Sequence, residues 1–355
     1  MASAHPKLLI ITNMGPKTSA PFQGQFVTNQ VVELTNQGQP ADYHYMRWHS
    51  DSWLNSILKY PVFFLDFVWR FLLSRKRYQI IHVHFFYPSI FLALLYRLLR
   101  NRQLKIVVTC HGSDIYFYQP PSRLYRWCAK QVDSWIFTSA SLSQQFFFTP
   151  VQQQVLSAGI DGRYAAARCV LFSEKDIDIL YVGALDNNKG MDRLLALLPL
   201  LPHCRVVVAG AGPWQATLEA AAKQFANLQL LGAQSPEQLQ KLYERARCFI
   251  SLSRNESFGL VMAEAMACYT PVVATETDGS TAQVQPGMTG YRISQQQAEP
   301  EIIAQVCQSI HQLFGLSNSA YTSLQQACRQ QAEAVLLPGV IRRLRQLYQD
   351  LTHGQ

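Results

Sequence analysis

Two short apolar runs, Cys248-Phe249-Ile250-Ser251-Leu252 and Thr270-Pro271-Val272-Val273-Ala274, flank the stretch Ser253-Arg254-Asn255-Glu256-Ser257-Phe258-Gly259-Leu260-Val261-Met262-Ala263-Glu264-Ala265-Met266-Ala267-Cys268. Two strand-length runs around a helix-length one read as a βαβ unit, which commits the chain to a parallel sheet covered by helices. Glu256 falls in the turn and Glu264 in the helix. The turn Ser257-Phe258-Gly259 leaves the first N–H groups of that helix without intrahelical partners, and with the helix dipole they suit a phosphate or diphosphate. A carboxylate in the turn and another about two helical turns on can accept hydrogen bonds from neutral polyols on either side of that anion. A nucleotide sugar presents its groups in that order: sugar hydroxyls, diphosphate, ribose hydroxyls. Taken alone, the pair of glutamates better describes a capped surface helix with solvated charges. The flanking strands favour a site, because open α/β sheets bind ligands at the carboxyl ends of their strands.

The same grammar recurs along the chain. Leu8-Leu9-Ile10-Ile11 reads as a strand, followed by Thr12-Asn13-Met14-Gly15-Pro16, a polar loop ending at Gly24, and a helix from about Gln25 to Asn36. A buried strand Gln79 to His84 and another, Lys105 to Cys110, follow, the latter running into His111-Gly112-Ser113-Asp114. A histidine at a strand's carboxyl end, followed by glycine, presents its imidazole with little obstruction from the backbone. Further on, Ile177 to Gly183 leads through Ala184 to Lys189-Gly190, where a lysine at a helix start can reach a diphosphate as a point charge. Cys204 to Ala209 runs into Gly210-Ala211-Gly212-Pro213, which lacks the third glycine of a dinucleotide fingerprint and argues against NAD.

At 355 residues, 48% hydrophobic and 15% charged, the chain is long enough for two folded domains. Its net charge of +8 is uneven: residues 1–165 hold 16 Lys+Arg against 7 Asp+Glu, and the remainder 15 against 16. A basic, aromatic-rich N-terminal half suits an anionic membrane surface. Nucleic acid is the competing partner, but no nucleic-acid-binding motif occurs. Within residues 53–77, Asp66 and Arg70 interrupt the apolar run well short of a membrane span and, four residues apart, support a helix. Periodicity leaves open whether Phe63 to Leu73, next to Arg75-Lys76-Arg77, faces a membrane or the core. Eight dispersed cysteines without metal-ligand spacing read as reduced core residues of a cytoplasmic protein, and the first apolar run is too short for a signal peptide.

The glutamate run, His111-Gly112-Ser113-Asp114, Gly183 to Gly190 and Gly210-Ala211-Gly212-Pro213 together resemble the signatures of the family 4 retaining glycosyltransferases of GT-B fold. The resemblance implies an α/β fold of two facing Rossmann-like domains with a deep interdomain cleft. Residues 1–165 would bind acceptor, 170–337 the nucleotide sugar, and a helix over 338–355 would cross back to the first domain. It implies His111, Glu256 and Lys189 as catalytic groups. Gly15, Gly183, Lys189, Gly210, Gly212, Arg254, Glu256, Ser257, Phe258, Gly259, Leu260 and Glu264 would hold the donor, and Gly24, His84, Ser113 and Asp114 would lie on the acceptor side. It also implies no metal and no cofactor beyond the nucleotide-sugar co-substrate. The acceptor would be a glycan or lipid-linked glycan of cell-surface polysaccharide or lipopolysaccharide synthesis, at the inner face of the membrane. Attack would come from the leaving-group side, with a donor phosphate oxygen taking the acceptor's proton. Three positions depart from the family pattern: Tyr269 replaces a usual glycine, Ala184 an arginine that touches the diphosphate, and Gln283 a glutamate. Arg254 is the nearest cation by motif to compensate for Ala184. The departures keep two alternatives open, a catalytically weakened sugar-nucleotide-binding partner subunit and a nucleotide-sugar epimerase on the same fold.

Overall fold

The computed structural model describes residues 6–17, 23–48, 50 and 52–353, so the middle of the predicted loop before Gly24 lies outside the described residues. The chain divides into two compact units, one formed by residues 1–159 and 337–355 and the other by Ile160–Leu336.

In the first unit β1 (Leu8–Thr12), β2 (Ala41–Tyr45), β3 (Ile80–His84), β4 (Lys105–Cys110), β5 (Ser134–Phe137) and β6 (Gln153–Val155) form a parallel sheet of order β2-β1-β3-β4-β5-β6. Its central strands are buried along their whole length, as the unbroken apolar runs require when helices cover both faces. Alternate residues serve opposite faces. Leu8 and Ile10 join Ile80 and Val107 beneath the C-terminal Leu337–His353 helix, whose Val340, Ile341, Leu344 and Tyr348 complete that core. Leu9 and Ile11 instead join Ile81, Val83 and Val108 in an aromatic-rich core on the other face, with Phe63, Phe67 and Phe71.

The second unit repeats the plan. Strands β7 (Ile177–Val182), β8 (Val206–Ala209), β9 (Leu228–Gly232), β10 (Ala246–Ser251), β11 (Val272–Thr275) and β12 (Gly290–Ile293) form a parallel sheet of order β12-β11-β10-β7-β8-β9. Its core takes in Ile160, Tyr164 and Ala167, so the stretch just before 165, read from sequence as the end of the first domain, packs with the second unit. The chain that follows, before β7, is likewise pinned. Lys175 is buried and donates to the carbonyls of Glu244 (2.8 Å) and Ala246 (2.9 Å), while burial draws its ammonium pKa down to about 8. At Tyr269 the backbone adopts φ 59°, a left-handed conformation natural to glycine and strained for tyrosine, which accounts for the family's usual residue there. Five cysteines are buried as expected, but Cys169 is exposed and Cys204 and Cys307 are half-buried.

Because Ile341 is fully buried between the C-terminal helix and the first sheet, Ile341→Ala is expected to destabilise the protein by about 2–5 kcal/mol. Urea unfolding measures it, and a loss below about 0.5 kcal/mol contradicts this packing.

Candidate functional site

In a doubly wound sheet the loops diverge where the strand order reverses, and the crevice they leave is the usual ligand site. In the second unit that point lies between β7, which leads outward to β8 and β9, and β10, which starts the return through β11 and β12. The loops after β7 and β10 carry Lys189 and Glu256. The two are stitched together by backbone and amide bonds: Arg254 N–H donates to the Asn188 carbonyl (2.7 Å), Asn255 N–H to Asn188 Oδ1 (3.1 Å), and Asn188 Nδ2 to the Asn255 carbonyl (3.0 Å). Held this way, Lys189 Nζ donates to Glu256 Oε2 in a half-buried ion pair.

Beside the pair begins the Leu260–Ala267 helix, with Gly259 at its start in the left-handed region (φ 77°) and no side chain capping it. A Cβ on Gly259 would meet Met262 Cε at 2.4 Å and Glu256 Cγ at 3.0 Å, so glycine is required by both backbone and space. The Glu256 carbonyl accepts from Gly279 N–H (2.8 Å), and Gln283 Nε2 donates to the Phe258 carbonyl and more weakly to that of Gly259 (3.4 Å). Gln283 thus braces the turn through a donor that an ionised glutamate lacks. Ser257 and Leu260 lie in the same turn and helix start, half-buried.

Glu264 sits in the opposite environment. Its helix neighbours Met262, Ala263, Ala265 and Met266 are all buried, and Tyr243 Oη donates to Glu264 Oε2 at 3.0 Å, with Tyr164 a second phenol donor. Burial outweighs these bonds and pushes the Glu264 carboxyl pKa up to about 7.

Three sequence-predicted donor residues have partners that redirect their roles. Arg254, expected to stand in for the missing arginine at Ala184, is a bidentate partner of Asp192 (2.9 and 2.6 Å) and donates to the Asn187 carbonyl (2.7 Å), so its charge is already engaged. Gly183 and Gly210 spend their N–H groups on the carbonyls of Ala209 (3.1 Å) and Gly232 (2.8 Å). A Cβ on Gly210 would lie 1.9 Å from the Gly183 carbonyl oxygen, so these glycines let two strand ends approach closely and shape the crevice. Gly212 is tight in the same way, 2.5 Å from the Leu185 carbonyl. Ala184 is exposed, its carbonyl accepting from Tyr181 Oη (2.7 Å).

The first unit's reversal lies between β1 and β3. Gly15 follows β1 and packs against the Met46 carbonyl, while Gly24 (φ 79°) starts the Gln25–Asn36 helix. After β4, His111 stands among rings, 4.4 Å from Phe85 and 5.0 Å from Phe26 between centroids, with its Nε2 3.1 Å from His84 Nδ1. Phe85 carries φ 64°, the kind of backbone outlier that concentrates at functional sites. Burial holds the pKa values of both histidines below the usual imidazole range, so they are neutral. His84, expected on the acceptor side, is fully buried and acts through His111. Asp114, placed with it, is also buried, and its carboxylate accepts from the backbone N–H groups of His111, Gly112 and Phe86, each at 3.0 Å. It holds the loop that carries His111. Ser113 is exposed at that loop.

Sequence reasoning missed Asp192, Tyr243 and Tyr164, and also His82, which bonds Thr109 Oγ1 (2.7 Å) and Tyr348 Oη (2.7 Å) behind His84. Asp192, Tyr243 and Tyr164 lie far in sequence from the residues they serve, and His82 lies far from its partners Thr109 and Tyr348, so only the fold brings them together. Among the described residues no three His, Cys, Asp or Glu side chains converge as a metal-ligand group.

Two Rossmann-like units, each with functional groups at its strand-order reversal, define the α/β class to which the two-domain glycosyltransferases belong. The model for glycosyltransferase family 4 matches residues 30–161 and that for glycosyl transferases group 1 matches 167–310, and the chain belongs to this family. A D-inositol 3-phosphate glycosyltransferase from Mycobacterium sp. (strain JLS) is 36% identical over 157 residues, covering 40% of this chain and 36% of that protein, so the chain matches about a third of that relative's length. An N-acetyl-alpha-D-glucosaminyl L-malate synthase from Bacillus anthracis is 27% identical over 257 residues, 66% of this chain and 67% of that protein. Among solved structures, a sucrose-phosphate synthase from Thermosynechococcus elongatus matches with TM-score 0.74 at 19% identity (98% of this chain, 100% of that one). HepE from Anabaena, in complex with UDP and glucose, matches with TM-score 0.68 at 14% identity (97% and 99%). At these identities the structural likeness concerns the fold.

The raised Glu264 pKa has a stability consequence with a definite sign. A carboxyl whose folded pKa lies above its unfolded value near 4.5 contributes stability that is complete below the unfolded pKa and is lost as pH rises through about 7. Glu264→Gln is therefore expected to flatten the fall in Tm between pH 5 and pH 8 relative to wild type. Parallel Tm profiles for the two proteins contradict the assigned environment.

Proposed function

We propose that the protein is a retaining, metal-independent glycosyltransferase that moves a sugar from a nucleoside-diphosphate sugar to a hydroxyl of a glycan or lipid-linked glycan, as in cell-surface polysaccharide synthesis. The observation that carries the reading is the Lys189–Glu256 pair at the uncapped start of the Leu260–Ala267 helix, between β7 and β10. A donor entering there exchanges one partner of each group. Lys189 turns from Glu256 to the diphosphate, and the freed Glu256 carboxylate accepts from sugar hydroxyls. Glu264 accepts from the ribose. The bond from the anomeric carbon to the diphosphate breaks with its electron pair on the phosphate oxygen, where Lys189 and the helix N–H groups stabilise the developing charge. The acceptor oxygen bonds to the same face of that carbon, and its proton passes to a phosphate oxygen of the leaving group. In the first unit, neutral His111 offers a hydrogen-bonding imidazole suited to a sugar hydroxyl. The complex of HepE with UDP and glucose supports a UDP-sugar as the first donor to try.

A second reading, a weakly active sugar-nucleotide-binding partner subunit, is favoured by Ala184 and by the commitment of Arg254 to Asp192. One assay separates them: release of nucleoside diphosphate from a panel of nucleotide sugars, with and without glycan and lipid-linked acceptors. Acceptor-dependent release supports the transferase, and binding without release supports the partner subunit. In the transferase, Glu256→Ala and Glu264→Ala are expected to lower turnover tenfold to a hundredfold, about 1.5–3 kcal/mol for a lost charged hydrogen bond to ligand. Activity is expected to persist in excess EDTA. Wild-type rates in both variants, or loss on chelation restored by Mg²⁺, contradict the assignment.

A further inference from the structure

The Trp53–Phe67 helix runs directly into a π-helical turn, Val68–Leu72, and that turn decides which side chains the segment buries. At 3.6 residues per turn, Leu72 would fall five turns beyond Leu54 and on the same side of the helix. Leu54 is exposed, yet Leu72 is only 7% exposed. The wider π turn spends an extra residue, keeping Phe71 and Leu72 with Phe63 and Phe67 in the core and sending Trp69 and Leu73 outward. The outward face is a continuous apolar stripe: Leu54, Leu58, Val62, Leu65, Trp69 and Leu73. Leu65, Trp69 and Leu73 are 68%, 78% and 64% exposed, and Trp53 and Ile57 widen the stripe at its start. One face of Phe63 to Leu73 is therefore core and the other is open. Of the 21 large hydrophobic residues exposed among the described residues, 18 lie in the first unit, so the stripe is no scattered surface average.

The charges around the stripe indicate its occupant. From Ser52 to Arg77 the only acidic residue is Asp66, and its carboxylate is met by Arg70 (3.4 Å) and His44 (3.5 Å). Lys76 is spent on Asp42 (2.7 Å), which leaves Lys59, Arg75 and Arg77 as the basic residues along the segment whose charge no carboxylate among the described residues offsets. The whole first unit holds 18 Lys+Arg against 7 Asp+Glu, the second 13 against 16. Apolar side chains with tryptophans on one face, flanked by basic groups, fit the boundary between acyl chains and anionic head groups. No helix among the described residues is long and apolar enough to cross a membrane.

We propose that the Trp53–Leu73 stripe docks the first unit on an anionic lipid bilayer, lying in its surface. The proposal stands on this surface alone and does not depend on the chemistry assigned above. The test is co-sedimentation of the full chain with vesicles of phosphatidylglycerol or of phosphatidylcholine, at low and high salt. One variant combines Leu65→Ser, Trp69→Ser and Leu73→Ser, and a second combines Arg75→Gln and Arg77→Gln. Both sets of positions are exposed, and unchanged Tm establishes that the variants fold. Wild type is expected to pellet with phosphatidylglycerol at low salt, the serine variant to partition at least tenfold less, and the glutamine variant to bind more weakly with less salt dependence. Wild type that stays in the supernatant, or a serine variant within twofold of wild type, overturns the proposal. So does sedimentation velocity that shows a wild-type dimer dissolved by the serine substitutions, since the stripe is then an interface between two copies.

Discussion

The ion pair between Lys189 and Glu256 depends on almost everything else in the second unit. Two opposite charges on loops 67 positions apart meet because the strand order reverses between β7 and β10, and the amide of Asn188 fixes the loops against each other. Glycines at the strand ends allow the close approach, and Gln283 steadies the turn from behind. In a half-buried crevice neither charge is fully solvated, so each favours a partner of opposite sign or a hydrogen-bonding ligand. A pair of this kind is a natural placeholder for a ligand that brings both an anion and hydroxyl donors.

The two glutamates that look equivalent in sequence are therefore chemically distinct. Glu256 meets a cation, while Glu264 meets two phenols inside an apolar helix face and holds its proton to about neutral pH. The first unit uses the same device for its own polar groups. His84 and His111 remain neutral because burial removes the water that would solvate an imidazolium, and Asp114 spends its oxygens on the backbone of the loop that carries His111.

The parallel sheets were legible in the sequence because both faces of each sheet are covered, which writes the strands as continuous apolar runs such as Ile80 to Val83 and Val206 to Val208. The turn at Phe258-Gly259 was legible for a similar reason, since glycine at a helix start leaves a local mark. Partners distant in sequence left no such mark. Nothing near Arg254 announces Asp192, and nothing near Glu264 announces Tyr243 or Tyr164. His84 and Asp114 stand in recognisable motifs, yet a motif does not tell whether a side chain meets ligand or supports the one that does. Whether the Trp53–Leu73 segment leaves an apolar face open was not legible, because helical periodicity marks apolar faces without telling which one meets the core.

The most direct test of the account is calorimetric titration of free nucleoside diphosphates into wild type and Glu256→Gln. If Glu256 holds Lys189 in place of a diphosphate, neutralising the glutamate releases the lysine, and the variant binds the diphosphate at least as tightly as wild type even though its sugar contacts are lost. Affinity that falls severalfold in Glu256→Gln would contradict the exchange of partners and place the diphosphate elsewhere.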